Sequence, residues 1–200
     1  MSVEFVFDYQ SPYAYLASTQ LAGLGVPIDY TPIAIVKVMK AVNNRPSPEC
    51  PPKARYAGLD ARRWAELYGV PFGMNQQFRG AAYGGGFEVE ALMRGALVAG
   101  DEGVIAAYNA VVFGAIWGQG ADIVTAEGRR QAFHGTGIDI DALWDKAADP
   151  AIAARLEGNN ARAVDRGVFG VPTFFVGEEM FFGNDRLDFV RRRIATGAAA

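Results

Sequence analysis

One cysteine and one histidine are all that this chain of 200 residues carries. A lone Cys50 cannot close an intramolecular disulfide, which fits a reducing compartment and a cytoplasmic location. A lone His134 beside Gly135 and Gly137 reads as a helix end, so no metal site is expected. Basic excess is also missing. The 19 Lys and Arg stand against 22 Asp and Glu, a net charge of −3, which gives no electrostatic footprint for nucleic acid or an anionic membrane. The longest apolar stretch, between Gly103 and Trp117, is interrupted by Asn109 and falls short of the roughly 20 residues of a membrane span. The opening Met-Ser-Val-Glu-Phe has neither the basic start nor the apolar run of a signal peptide.

What the chain does have is a hydrophobic content of 50%, enough for one well-filled core or a core with an inserted subdomain. Val3 to Phe7 is β-rich and reads as a first strand. Ser11-Pro12 places a preferred cap before a preferred first helical residue. Tyr13, Leu16, Ala17, Leu21 and Leu24 then recur at helical spacing up to Gly25, and Ile28 to Pro32 reads as a second strand. Helical chemistry follows over 35–42, 53–68, about 88–99 and 103–117, with shorter stretches to about 148. Asp149-Pro150 restarts a helix that runs to Gly167. Thr173 to Val176 and Met180 to Phe182, separated by a Gly-Glu-Glu turn, make a hairpin, and a last helix starts at Asp185.

This order predicts an α/β chain with a β-α-β plus β-β-α core and an inserted all-helical subdomain. Because the first and last strands should share one sheet, residues 1–200 are read as a single structural unit. The core covers about 1–34 and 168–200, and the insertion about 35–167.

Three places can carry chemistry. The Ser11 hydroxyl stands at a strand-to-helix turn, where it serves as an ordinary cap or, with the N–H groups there, as a holder of a bound thiolate. Gly170-Val171-Pro172-Thr173 puts a proline at the start of a strand, either an edge device or a turn lying beside the first helix. Asn184 and Asp185 open the last helix, as an acidic start or as a grip on the charged end of a peptide ligand. Lys40 and Asn44 close a helix. Tyr9, Tyr13, Phe72 and Phe87 can line an aromatic pocket. The glycines at 84–86 lack the strand-then-helix frame of a nucleotide site.

Phe7-Asp8-Tyr9-Gln10-Ser11-Pro12-Tyr13-Ala14-Tyr15-Leu16-Ala17 resembles the opening motif of the 2-hydroxychromene-2-carboxylate isomerases. Asn44-Arg45-Pro46, Lys53-Ala54-Arg55-Tyr56 and Arg63-Trp64-Ala65 resemble their helical insertion. Gly167 to Val176 and Gly183 to Asp188 resemble their closing motifs. The resemblance implies a disulfide-oxidoreductase-like thioredoxin fold, shared with the kappa glutathione transferases. It implies glutathione as cofactor, with sulfur at Ser11, the cysteinyl unit at Val171 before Pro172, and the γ-glutamyl end at Asn184 and Asp185. Lys40 and Asn44 match positions near the substrate. The implied activity is glutathione-dependent cis/trans isomerisation of 2-hydroxychromene-2-carboxylate-type aromatics in a catabolic route, by a homodimer. A kappa-type transferase or peroxidase and a non-catalytic glutathione-binding protein are the alternatives. Two departures stand out. Tyr83-Gly84-Gly85-Gly86-Phe87-Glu88 replaces a Phe-Pro-x-Asn segment ahead of the helix containing Arg94, and Phe182 stands where Trp is frequent.

Overall fold

The computed structural model describes residues 1–118 and 120–197; the last three residues of the expected core lie outside them. Two compact units are present, one built from residues 1–69 with 159–200 and the other from 70–158.

The first unit holds four strands: β1 (Val3–Phe7), β2 (Ile28–Pro32), β3 (Thr173–Val176) and β4 (Glu179–Phe182). Their order is β2-β1-β3-β4. β1 runs parallel to β2 with Phe5 opposite Tyr30, and antiparallel to β3 with Phe5 opposite Phe174. The β3–β4 hairpin places Thr173 opposite Phe182. Alternation along the central strands divides the apolar side chains between two faces. Phe5, Phe7 and Phe174 stack with centroids 5.2 and 5.4 Å apart. Val6 and Phe175 point the other way, into a cluster with Ile33, Ile35, Val38, Ala163, Val168 and Val171.

The helices follow from caps and periodicity. α1 (Pro12–Ser18) begins at Ser11, whose side chain accepts the Ala14 N–H, as the Ser-Pro pair predicts. α2 (Ile35–Ala41) has no cap of its own and borrows two. The Asp8 carboxylate accepts Ile35 N–H at 2.9 Å, and Asn160 Oδ1 accepts Ala34 N–H at 2.8 Å. α3 (Pro51–Tyr68) ends at Gly69, where φ of 65° requires a left-handed residue.

The second unit carries α4 (Gln76–Tyr83), α5 (Glu90–Asp101), α6 (Ile105–Phe113), α7 (Ala126–Ala132) and α8 (Ile140–Ala147). The stretch expected to be one helix over 103–117 is interrupted: α6 passes into a π turn, Gly114–Gly118. The carbonyls there are taken from outside the helix. Gly73 N–H reaches Trp117 O at 2.7 Å and Asn75 N–H reaches Ile116 O at 2.8 Å. α9 (Pro150–Asp165) starts in the second unit and ends in the first. α10 (Leu187–Gly197) follows a single 3-10 turn, Asn184–Arg186.

Candidate active site

The end of β1 carries Asp8, which has no exposed surface. Besides capping α2 it accepts the Gln10 N–H at 2.8 Å. Its backbone carbonyl accepts the Ser11 N–H at 3.1 Å. A buried carboxylate needs such donors, and each bond to a charged group is worth about 1.5–3 kcal/mol. Asp8 therefore fixes the turn that presents Ser11. Residue-type patterning gave no reason to single it out; the available signal was an acid placed directly after an apolar strand.

Ser11 is half-buried. Its Oγ accepts the Ala14 N–H at 3.2 Å and donates to the Val171 carbonyl, also at 3.2 Å, across 160 residues of sequence. The Val171–Pro172 bond is cis. Pro172 in turn accepts the Gly183 N–H at 2.9 Å, so one chain of hydrogen bonds links Ser11, the Val171-Pro172 turn and the residue before Asn184. The turn Asn184–Arg186 packs on α1. Asn184 is buried, and its carbonyl accepts the Tyr68 hydroxyl at 3.3 Å. Asp185 lies nearer the surface and pairs with Arg186.

Tyr13 lies in the first turn of α1. Its hydroxyl donates to Asp60 Oδ2 at 3.0 Å, and longer, at 3.4 Å, to the Ala57 carbonyl. Burial first, then the Asp60 hydrogen bond and charge, then Tyr56 and Asp185, push its pKa well above that of an ordinary tyrosine. It remains a protonated donor at any physiological pH. Tyr68 is also raised, mainly by burial, with its hydrogen bond to Asn184 opposing. Asp60 and Tyr68, both on α3, are further supports that spacing along the chain did not reveal.

The remaining predicted residues are placed differently. Tyr9 has no exposed surface and packs edge-on against Phe7, with centroids 5.3 Å apart. Lys40 is exposed in the last turn of α2 and makes no ion pair among the described residues. Asn44 reaches the loop ahead of Val171: its Nδ2 donates to the Phe169 carbonyl at 2.7 Å. Two half-exposed rings flank that loop, Phe169 and Phe182, with centroids 4.6 Å apart. Phe72 stacks parallel to Trp117, and Phe87 lies near Phe78 and Trp144, all within the second unit.

Among the described residues no group of three or more His, Cys, Asp or Glu is placed to hold a metal ion, and no helix is long and apolar enough to cross a membrane. The arrangement is a hydroxyl donor beside a peptide carbonyl at a helix start, with a carboxylate and two aromatic rings nearby. A hydroxyl so placed can donate to an anionic group brought to the turn.

Comparison with known proteins identifies the fold and the family. The DsbA-like thioredoxin domain family matches residues 2–195. The 2-hydroxychromene-2-carboxylate isomerase of Pseudomonas putida is 35% identical over 193 residues, covering 94% of this chain and 91% of its own. A solved structure of a 2-hydroxychromene-2-carboxylate isomerase superposes with a TM-score of 0.85 at 31% identity, covering 99% and 96% of the two chains. Glutathione S-transferase kappa 1 of Caenorhabditis elegans is more distant, 24% identical over 201 residues, covering 94% and 88%. With a thioredoxin-type sheet, a serine-capped first helix against a proline turn, and full-length identity above 30%, the chain belongs to the 2-hydroxychromene-2-carboxylate isomerase family within the DsbA-like thioredoxin domains.

Proposed function

We propose that this protein is a glutathione-dependent isomerase that interconverts 2-hydroxychromene-2-carboxylate-type aromatics and trans-o-hydroxybenzylidenepyruvate. The observation that carries this reading is the Ser11 hydroxyl held 3.2 Å from the Val171 carbonyl at the start of α1. The polar groups of the site fit a thiol tripeptide. Ser11 can serve the sulfur, the Val171 backbone can serve the central peptide unit, and Asp185 can serve the ammonium end. When bound, glutathione supplies a sulfur nucleophile whose reversible addition at the β-carbon of the ring-opened enone allows rotation about the former double bond.

The chain's own residues do the rest. Ser11 turns its O–H from the Val171 carbonyl to the sulfur, while its lone pair keeps the Ala14 N–H. α1 has only seven residues, so the helix field adds little and the hydroxyl supplies most of the stabilisation. The Val171 carbonyl released by Ser11 becomes free to accept a ligand N–H. Asp185 exchanges part of its pairing with Arg186 for the ligand ammonium. Tyr13, kept protonated by burial and Asp60, ties the first turn of α1 to α3 and takes no proton from substrate. Phe169 and Phe182 offer an apolar ledge for an aromatic ring. We place the enzyme in the cytoplasm, in aromatic catabolism, as a homodimer.

The test is conversion of 2-hydroxychromene-2-carboxylate with and without glutathione. Turnover that needs glutathione and returns it unmodified is the expected result. Full turnover without glutathione would overturn the cofactor, and no turnover with it would overturn the activity. The kappa transferase relative supports a second reading, in which glutathione is consumed; sulfur retained in the product would favour it.

A further inference from the structure

Four consecutive carbonyls cross the loop from Phe169 to Pro172, and each has a donor. Asn44 Nδ2 serves Phe169 at 2.7 Å, Thr173 Oγ1 serves Gly170 at 2.8 Å, Ser11 Oγ serves Val171 at 3.2 Å, and Gly183 N–H serves Pro172 at 2.9 Å. The longest of the four is the Ser11 contact, the one that the proposed function withdraws. The loop must then hold the Val171 carbonyl in place without it. Gly170 is covered on one side by the Phe182 ring, since a Cβ built there would lie 2.6 Å from a ring carbon. The half-exposed ring lies against that face of the loop. Motion away from it is resisted by the bonds to Asn44 and Thr173.

Asn44 is set for this task by its own contacts. Its N–H donates to the Met39 carbonyl at 2.8 Å, closing α2, and its Oδ1 accepts the Arg45 N–H at 2.8 Å. With the acceptor side of the amide committed to Arg45, the donor side must face Phe169; a flipped amide would set oxygen against oxygen. The residue thus bridges the end of α2 to a loop 125 residues later.

We propose that Asn44 is a positioning residue: by holding the Phe169 carbonyl it fixes the Val171 backbone for the ligand, rather than contacting the substrate. The ligand part of this inference rests on the glutathione reading; the loop part does not.

Asn44→Asp tests it, because aspartate keeps the size and the acceptor for Arg45 but sets a carboxylate oxygen against the Phe169 carbonyl. In the ligand-free protein, amide hydrogen exchange at Gly170 and Val171 should quicken by about three- to tenfold, the span of one neutral hydrogen bond. Glutathione and γ-glutamylcysteine, which lacks the glycyl unit, should lose affinity by the same factor in calorimetric titration. Lowering the pH through the carboxyl pKa, about 3.9 or higher beside a carbonyl, should restore wild-type exchange at matched pH, because a protonated acid can donate to Phe169. Unchanged exchange at 170–171 together with a raised KM for the aromatic substrate alone would overturn the proposal. So would an affinity loss confined to glutathione. If the wild-type protein bound neither thiol, the glutathione reading would fall and the exchange measurement would decide the loop role alone. Asn44→Ser, whose hydroxyl is too short to reach Phe169, is the second variant should the aspartate protein not fold.

Discussion

Ser11→Ala separates what the hydroxyl does for the fold from what it does for a bound thiol, and pH is the variable that tells them apart. A hydrogen bond to a charged group is worth about 1.5–3 kcal/mol, and 1.36 kcal/mol moves a pKa by about one unit. Removing the hydroxyl should therefore raise the bound thiol by about one to two units, toward the ordinary value of about 8.5. At pH 7 the thiolate fraction then falls from about 25–75% to about 3%, a loss of about eight- to 25-fold. A more basic thiolate is also more reactive. With a Brønsted slope of about 0.4–0.5, as for thiolate attack on sulfur, about three- to eightfold is regained. The net loss at pH 7 is only about threefold, growing to about three- to tenfold at pH 6 and reversing to a gain near pH 9. The assay is kcat at saturating glutathione from pH 5.5 to 9, with ultraviolet titration of the bound thiolate alongside. A separate loss of about 0.5–2 kcal/mol in unfolding free energy is expected from the missing cap on Ala14. An acid limb and thiolate titration that stay where the wild type has them, with activity lowered equally at every pH, would refute the thiolate role. Full turnover across the whole range would remove Ser11 from the mechanism altogether.

Gly170→Ala should push the Phe182 ring outward, because the new Cβ would lie 2.6 Å from it; the ring is 40% exposed and can move, so a cost below about 1.5 kcal/mol is expected in urea unfolding. Combining it with Phe182→Ala should cancel that cost, and additive losses would contradict the contact. Gly95→Ala meets the buried Tyr108 hydroxyl at 2.1 Å and its ring at 2.8 Å, where neither can yield, so about 1–3 kcal/mol should be lost in thermal unfolding; an unchanged Tm would mean that α5 shifts freely. Asp122 is held below the ordinary aspartate range. Burial raises it, but the Thr125 hydroxyl, the Thr125 and Val124 N–H groups and Gln77 outweigh that. It contributes stability above its unfolded pKa of about 3.9 and loses it as pH falls through the lower folded value. Asp122→Asn should flatten the fall in urea midpoint below pH about 4, and an identical acid slope in both proteins would contradict this.

Local chemistry made the ends of the chain readable. Ser11-Pro12 signals a capped helix, the alternation of Val3 to Phe7 a strand, and Thr173 to Phe182 a hairpin; all three form, but the helix expected up to Gly25 stops at Ser18, and Leu21–Leu24 is a separate 3-10 turn. Long-range partners were another matter. Asn44 looked like a helix closer, which it is, but nothing in Asn44-Arg45-Pro46 announces a bond to Phe169 across 125 residues. Tyr9 sits between a strand and a cap, where the sequence does not fix whether a ring points inward; Phe7 receives it and it is fully buried. Asp8 was hidden because a buried acid is rare, and its use as a cap for a helix starting 27 residues later follows from tertiary folding. The π turn at Gly114–Gly118 is not legible in the sequence because apolar periodicity cannot distinguish a slipped turn from a regular one. Its displaced carbonyls are satisfied by residues 73 and 75, whose role is set by packing and not by their own pattern.

The same contrast bears on the chemistry. Disulfide exchange needs two thiols at the start of the first helix, and positions 11 to 14 read Ser-Pro-Tyr-Ala. The chain's one thiol, Cys50, is exposed at the start of α3, and it does not figure among the hydrogen bonds that build the Ser11 turn. A serine at that turn cannot supply sulfur, but it can do what a cysteine there cannot: donate a directed O–H to a sulfur brought from outside while keeping the helix capped. Its present acceptor, the Val171 carbonyl, belongs to the residue proposed to pair with the incoming peptide. Moving one proton donor from carbonyl to sulfur would thus prepare both ligand contacts together. On the proposed reading, a serine where disulfide exchange would need a thiol serves instead to recognise one.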